Sequence, residues 1–266
     1  MSTGTHHFKI LSAMLLVSTG VLGALLVAER MRAGGRTTSA KAFPSSQPET
    51  QASLEALTRH SDPEIRQKSL ELLGVWQPQR AQALLPDLLL NEKNENVVLS
   101  ALDLVARIKC TPSTGGVLSR ISAKERTVSR KASVTAGFLA NEMDQRTKED
   151  AVAAIKNCVE TELLMAPAGQ PDPGIVLPYV DALAKLNCTS SVPLLLRLLR
   201  SGRSPAVRKC SAIALCGLAR KDEEAALTSA WKTESDTQVR TAIEGILAKS
   251  PFELVPNHEQ GTLVRR

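Results

Sequence analysis

Apolar residues recur at helical spacing along most of the chain, and the stretches that carry them resemble one another. Residues 61–74 read SDPEIRQKSLELLG, and Arg203 to Gly217 reads RSPAVRKCSAIALCG. With Ile65 as reference, the counterparts are Val97, Val128, Ile175, Val207 and Val239, at steps of 32, 31, 47, 32 and 32 residues. Three residues before each reference stands Asp62, Asn94, Glu125, Asp172, Ser204 or Asp236. All but the glutamate are good N-caps, whose side-chain oxygen takes a backbone N–H orphaned at a helix start. Proline follows the cap at Pro63, Pro173 and Pro205, the first helical position, where no N–H is needed and the fixed φ helps. Four residues after the reference come Ser69, Ala101, Ala132, Tyr179, Ser211 and Ile243. Eight after it come Leu73, Val105, Ala136, Leu183, Leu215 and Leu247. Positions i, i+4 and i+8 share a helix face. Each unit is thus predicted to give one capped helix with a narrow apolar stripe, whose mostly small middle residue lets a neighbour come close.

A second apolar stretch precedes the capped helices, as in Leu54 to Thr58, Ala83 to Leu90, Val117 to Ile121, Val192 to Leu199 and Ala225 to Trp231. Turn sequences such as HSDP, EKNEN, SGRSP and TESD separate the two. This predicts antiparallel helix pairs with short connections. One pair cannot bury both of its apolar faces, whereas stacked pairs share a continuous core. The predicted fold is therefore all-α, an α-solenoid of about six helical hairpins over residues 49–250, preceded by one transmembrane helix. The 47-residue step holds MAPAGQPDPG, Met165 to Gly174, after a first helix predicted from about Gln145 to Leu164. Such an insertion maps to a loop on one face of a solenoid, often the binding face; a neutral loop extension is the competing reading. Pro178 inside the fourth capped helix predicts a kink there, or a different register.

Ile10 to Ala28 is a run of 19 residues without charge, long enough to span a bilayer core of about 30 Å. Val27-Ala28-Glu29-Arg30 is a poor cleavage site, so an uncleaved single-pass anchor is expected; an exported envelope protein with a cleaved leader is the alternative. Arg30, Arg32 and Arg36 on the C-terminal flank outweigh Lys9 and place the repeat domain on the cytoplasmic side. Gly20, Ala24 and Ala28 put small residues on one face of this helix, as dimerising and ordinary lipid-facing helices both do. Ala33 to Ser53 is crowded with Gly, Ser, Thr and Pro and reads as a tether. The expected organisation is a tail at 1–9, the membrane segment at 10–28, a flexible linker at 29–48, the repeats at 49–250 and a C-terminal tail at 251–266. The tail after Pro251 has no helical period and either caps the last repeat through Phe252 and Leu254 or stays unstructured.

Charge changes the picture little. Residues 1–53 hold five basic and two acidic residues, so half of the net charge of +6 lies outside the repeats. A body this nearly balanced, with few aromatics, does not suit a nucleic-acid groove. The five cysteines, at 110, 158, 188, 210 and 216, are odd in number and contain no CxxC pair, which argues against a disulfide framework or a zinc site. The four histidines are scattered, and only His258-Glu259 in the tail forms a His-Glu pair. No GxxxxGK[ST] or GxSxG motif occurs. No cofactor, metal or catalytic residue is expected.

The pattern cap-Pro-x-(Val/Ile)-Arg-x-x-(Ser/Ala)…Leu-Gly resembles HEAT repeats, and its short period looks most like the subtype first noted in phycobilin lyase subunits. The resemblance runs roughly from Pro48 to Ser250 and is strongest in Asp62 to Gly74, Ser204 to Gly217 and Asp236 to Ala248. It implies a curved, non-catalytic scaffold that binds a protein partner, or alternatively a bilin-lyase-type enzyme or its accessory subunit. Arg66, Arg208 and Arg240 follow the reference position. In a HEAT-like stack they either form a basic partner-binding stripe or pair with an acid or carbonyl in the adjacent turn, as Asp236 would for Arg208. Val98, Ser129 and Val176 interrupt that series.

Overall fold

In a computed structural model of the chain, the described residues are 54–166, 172–202, 204–219, 221–249, 254–257 and 262–265. They belong to the second of two units, Pro48–Arg266, the first being Met1–Gln47. The predicted membrane helix at 10–28 and linker at 29–48 lie outside the described residues, among which no helix is long and apolar enough to cross a membrane.

After a helical segment at 54–57 come α1 (Pro63–Trp76), α2 (Pro78–Asn91), α3 (Glu95–Ile108), α4 (Thr114–Ile121), α5 (Arg126–Phe138) and α6 (Gln145–Met165). Then follow α7 (Pro173–Leu186), α8 (Val192–Ser201), α9 (Pro205–Leu215), α10 (Glu224–Thr233) and α11 (Thr237–Lys249). The odd-numbered helices are the capped ones. Each packs on the next to form one layer, and the even-numbered helices form the other, less closely packed one. This is a helical-repeat stack, as the period predicts.

The stripe explains the close layer. The residues four and eight after each reference are all buried, and so are Val97, Val128, Val207 and Val239, whereas Ile65 and Ile175 are half-buried. The buried serines return their hydroxyls to their own helix: Ser69 Oγ donates to the Ile65 carbonyl at 2.7 Å and Ser211 Oγ to that of Val207 at 2.8 Å. Close approach shows at Gly137, where a Cβ would stand 3.2 Å from the Ala182 Cα, and at Gly74, which faces the end of Leu104. Asp62, Asn94, Asp172 and Asp236 accept N–H groups of the first turn. Ser204 sits at the cap position of α9 but its side chain makes no capping bond.

Pro178 lies inside a continuous α7 whose register holds through buried Tyr179 and Leu183. A proline at 178 cannot donate to the carbonyl of Gly174, and Arg130 Nη1 from α5 donates to that oxygen at 3.4 Å. Pro86 inside α2 likewise frees the Gln82 carbonyl, which Cys110 Sγ approaches at 3.6 Å. At 21 residues, α6 is the longest helix among the described residues. Its last turn is tied back to the start of α5, where Arg126 Nε meets Glu162 Oε1 at 3.2 Å. The tail is not without structure: Leu254–Asn257 (β1) pairs antiparallel with Thr262–Arg265 (β2), and β1 lies beside α11, where a cap on the last repeat through Leu254 would place it.

Candidate functional site

An α-helix ends with up to four carbonyls that have no intrahelical donor. In three of the repeats the residue after the reference, Arg66, Ser129 or Arg208, is aimed at the end of the preceding helix. Arg66 Nη1 donates to the carbonyls of His60 at 2.8 Å and Ser61 at 2.9 Å. Arg208 Nη1 donates to that of Gly202 at 2.9 Å, and Ser129 Oγ to that of Ile121 at 2.5 Å. Val98 has no such group, and there Arg120 of α4 serves the end of α2 instead, donating to Leu89 and Glu92 carbonyls, both at 2.6 Å.

The rest of each guanidinium faces a carboxylate in the next turn. Arg66 Nε and Nη2 hold both oxygens of Glu92 at 2.8 Å. Arg208 Nε and Nη2 hold both oxygens of Glu234 at 2.7 and 2.8 Å. Both partners lie 26 residues downstream, two before the next cap. Each carboxylate also accepts a turn N–H, Asn94 to Glu92 at 2.8 Å and Asp236 to Glu234 at 2.9 Å. A fork held this way is geometrically specific as well as charge-assisted. Burial pushes the Glu92 carboxyl up, but Arg66 and the Asn94 N–H outweigh it and leave it below its usual range. Arg208 holds Glu234 low against the opposing effect of burial. Arg240 does something else: its guanidinium carbon lies 4.4 Å from the centre of the Trp231 ring, and the indole N–H donates to Glu244 at 2.9 Å. The three predicted arginines thus occupy three separate joints, and the partner of Arg208 is Glu234 rather than Asp236.

Where the series reads Ser129, a neutral network takes over. Ser129 Oγ lies 3.0 Å from the Tyr179 hydroxyl, and Cys158 Sγ donates to the Ile121 carbonyl at 3.2 Å. Burial raises the Tyr179 phenol above its ordinary value, against the bond with Ser129.

The face of the capped layer turned away from the first helices carries the exposed chemistry. Positions six and ten after the reference include Asp103, Phe138, Asp181, Lys185 and Ile213, which are exposed, although Glu71, Val134 and Gly245 at position six are half-buried. Lys131 pairs with Asp103 across α5 and α3. Lys185 pairs with Asp181 at 2.6 Å and lies 4.2 Å from the centre of the Phe138 ring. The ridge therefore alternates ion pairs with Phe138 and Ile213. Lining up the repeats six and ten residues past the reference would have found it. A shallow cleft on the same face is lined by Glu71, Ser100, Asp103, Leu104 and Arg107. Among the described residues no group of three His, Cys, Asp or Glu side chains could hold a metal ion.

No family model matches the sequence, and no curated protein matches it. Among solved structures, the complex of CpcE and CpcF of phycocyanin lyase from Nostoc sp. PCC7120 matches with a TM-score of 0.51 and 18% identity, over 80% of each chain. That likeness is one of fold, and it supports the helical-repeat reading.

Proposed function

We infer that this chain is a helical-repeat subunit that acts by binding another protein chain, with the ridge through Asp103, Phe138, Lys185 and Ile213 as the contact surface. The observation that carries this is the division of labour among the charges. Arg66 and Arg208 are committed to joints between repeats, while the exposed ridge mixes charged pairs with Phe138, half-exposed under Lys185, and Ile213. Mixed aromatic, aliphatic and charged surface of this kind is what protein interfaces use. Arg240, stacked on Trp231, is the one of the three arginines proposed to keep a face for a partner.

The likeness to the CpcE–CpcF complex favours a specific form of this function, a lyase-type subunit that works in a two-chain assembly. In both forms residues 10–28 anchor the protein in a membrane, with the repeats on the cytoplasmic side. Cross-linking in native membranes, with the parent and with Phe138→Ala/Ile213→Ala, tests the shared reading. The parent is expected to yield a cross-linked partner that the double variant loses; a partner captured equally by both rules out the ridge. Added bilin then separates the two forms. A shift of its visible absorbance on the isolated assembly supports the lyase-type reading, and an unchanged spectrum leaves the scaffold reading. A mass measurement on the mature N-terminus checks the anchor.

A further inference from the structure

In two repeats the arginine after the reference ends on a glutamate. Arg66 holds both oxygens of Glu92, and Arg208 both of Glu234. Arg240 stands at the same position of α11, but among the described residues no further helix turn follows α11 to bring it such an acid. It serves neither the Glu234 nor the Ser235 carbonyl, the counterparts of those that Arg66 and Arg208 serve. Among the described residues its guanidinium has no hydrogen-bond acceptor and no ion-pair partner. What holds it is Trp231 of α10, 1% exposed, whose ring centre lies 4.4 Å from the guanidinium carbon. Glu244 stands one turn further along α11, where a carboxylate readily pairs with an arginine of the same helix, yet its Oε1 accepts the indole N–H of Trp231 at 2.9 Å. Contact with a ring draws on the charge of a guanidinium and leaves its fork of N–H donors for a carboxylate. Arg240 is thus a fork held in place and not filled.

We propose that Arg240 and Trp231 form a receptor for one acidic side chain, an aspartate or glutamate of the partner protein, taken through two parallel N–H···O bonds. This rests on the reading that the chain binds another protein, but not on the ridge as the surface that does so. Three observations select the occupant. The same side chain in the same register takes a glutamate twice within the stack, so a carboxylate is the group this position is built to hold. The cation is positioned before any partner arrives, because Trp231 is buried and tied through its indole N–H to Glu244, which lowers the ordering cost of binding. Arginine and tryptophan are also the residue types most enriched among the few side chains that carry interface affinity. Glu253 and Glu259, which follow α11 outside the described residues, are the internal competitors for the same fork.

The test is zero-length cross-linking of the full chain in native membranes with a carbodiimide, which joins an amine to a carboxylate in contact with it. Arg240→Lys/Glu244→Gln keeps a cation for Trp231 and an oxygen for its indole, and supplies the amine. The expected product is an amide between residue 240 and an aspartate or glutamate of another protein, located by mass spectrometry and absent from Arg240→Met/Glu244→Gln. Arg240→Glu should lower capture of that protein about tenfold or more, with the helical spectrum unchanged, and changing the located acid to arginine should restore it. An amide only to Glu253, Glu259 or another acid of this sequence overturns the proposal, as does no amide at residue 240 or a charge swap that restores nothing. A longer amine-reactive cross-linker used alongside keeps the two readings apart. If it captures a partner that Phe138→Ala/Ile213→Ala loses while residue 240 yields no amide, this receptor fails and the ridge stands. If residue 240 yields the amide and the ridge variant captures as the parent does, the ridge fails and the receptor stands.

Discussion

Removing the Arg208 guanidinium is the most direct way to ask what holds the last joint together. The Arg208 and Glu234 side chains are only 15% and 6% exposed. In Arg208→Ala the Glu234 carboxylate keeps the Asp236 N–H but loses its bidentate cation, and the Gly202 carbonyl loses a donor. Leaving one member of a buried pair alone costs about 3–5 kcal/mol. The joint lies near the surface and water can enter the vacated space, so the lower end, about 3 kcal/mol, is expected. For a domain of this size that lowers Tm by roughly 6–12 °C. The companion variant is Arg208→Met/Glu234→Gln, which removes both charges, keeps the alkyl packing and keeps an oxygen for the Asp236 N–H. It should cost about 1 kcal/mol, less than either single change Arg208→Met or Glu234→Gln, so the double-mutant cycle built on those two should show a coupling of about 2 kcal/mol or more. Helical ellipticity followed through heat and urea at neutral pH measures all four species. The reasoning fails if Arg208→Ala melts within about 1 °C of the parent, or if single and double variants lose equal stability.

Acid should release the same joints. Glu92 and Glu234 are both held below the ordinary carboxylate range, so their contribution is present above the unfolded value of about 4.3 and is lost as pH falls through their lower folded values. Tm should drop over that window, and the drop should be shallower in Arg208→Met/Glu234→Gln. Leu215→Asp places an unpaired charge at a position with no exposure and should abolish the cooperative melt; a parental melting curve would show that the register is wrong. Tyr179→Phe removes a hydroxyl that meets Ser129 and should cost about 1 kcal/mol, as read by urea unfolding, with an unchanged midpoint counting against the network.

The repeat stack was legible because burial follows directly from spacing: Ser211 and Leu215 had to share a face with Val207 once one helix was assumed. The role of the arginines was open because pairing depends on which acid the stack brings near, and Asp236 and Glu234 are both close in sequence to the right turn. A signal was nevertheless present, since Glu92 and Glu234 each stand 26 residues after an arginine and two before a cap. Pro178 suggested a kink because it cannot donate within the helix, yet α7 runs on through it and the carbonyl it frees is served from another helix by Arg130, which the sequence could not show. A second repeated module went unread. Lys109-Cys110-Thr111-Pro112-Ser113 and Asn187-Cys188-Thr189-Ser190-Ser191 each open with a left-handed residue, φ 50° and 54°, and end in a fully buried serine. The hairpin at β1 and β2 was missed because four residues a strand give too little alternation to separate from a loop.

The seat at each helix end also decides where the protein can be divided. A cut after the first hairpin strands Arg66 without Glu92, and a cut after the second strips α2 of the donor that Arg120 lends it. Neither fragment would keep the wiring of the parent, although every helix in it stayed whole. The units look like interchangeable spare parts in the alphabet of the chain, yet several are wired to the neighbour that follows, so shuffling them requires moving the wire as well.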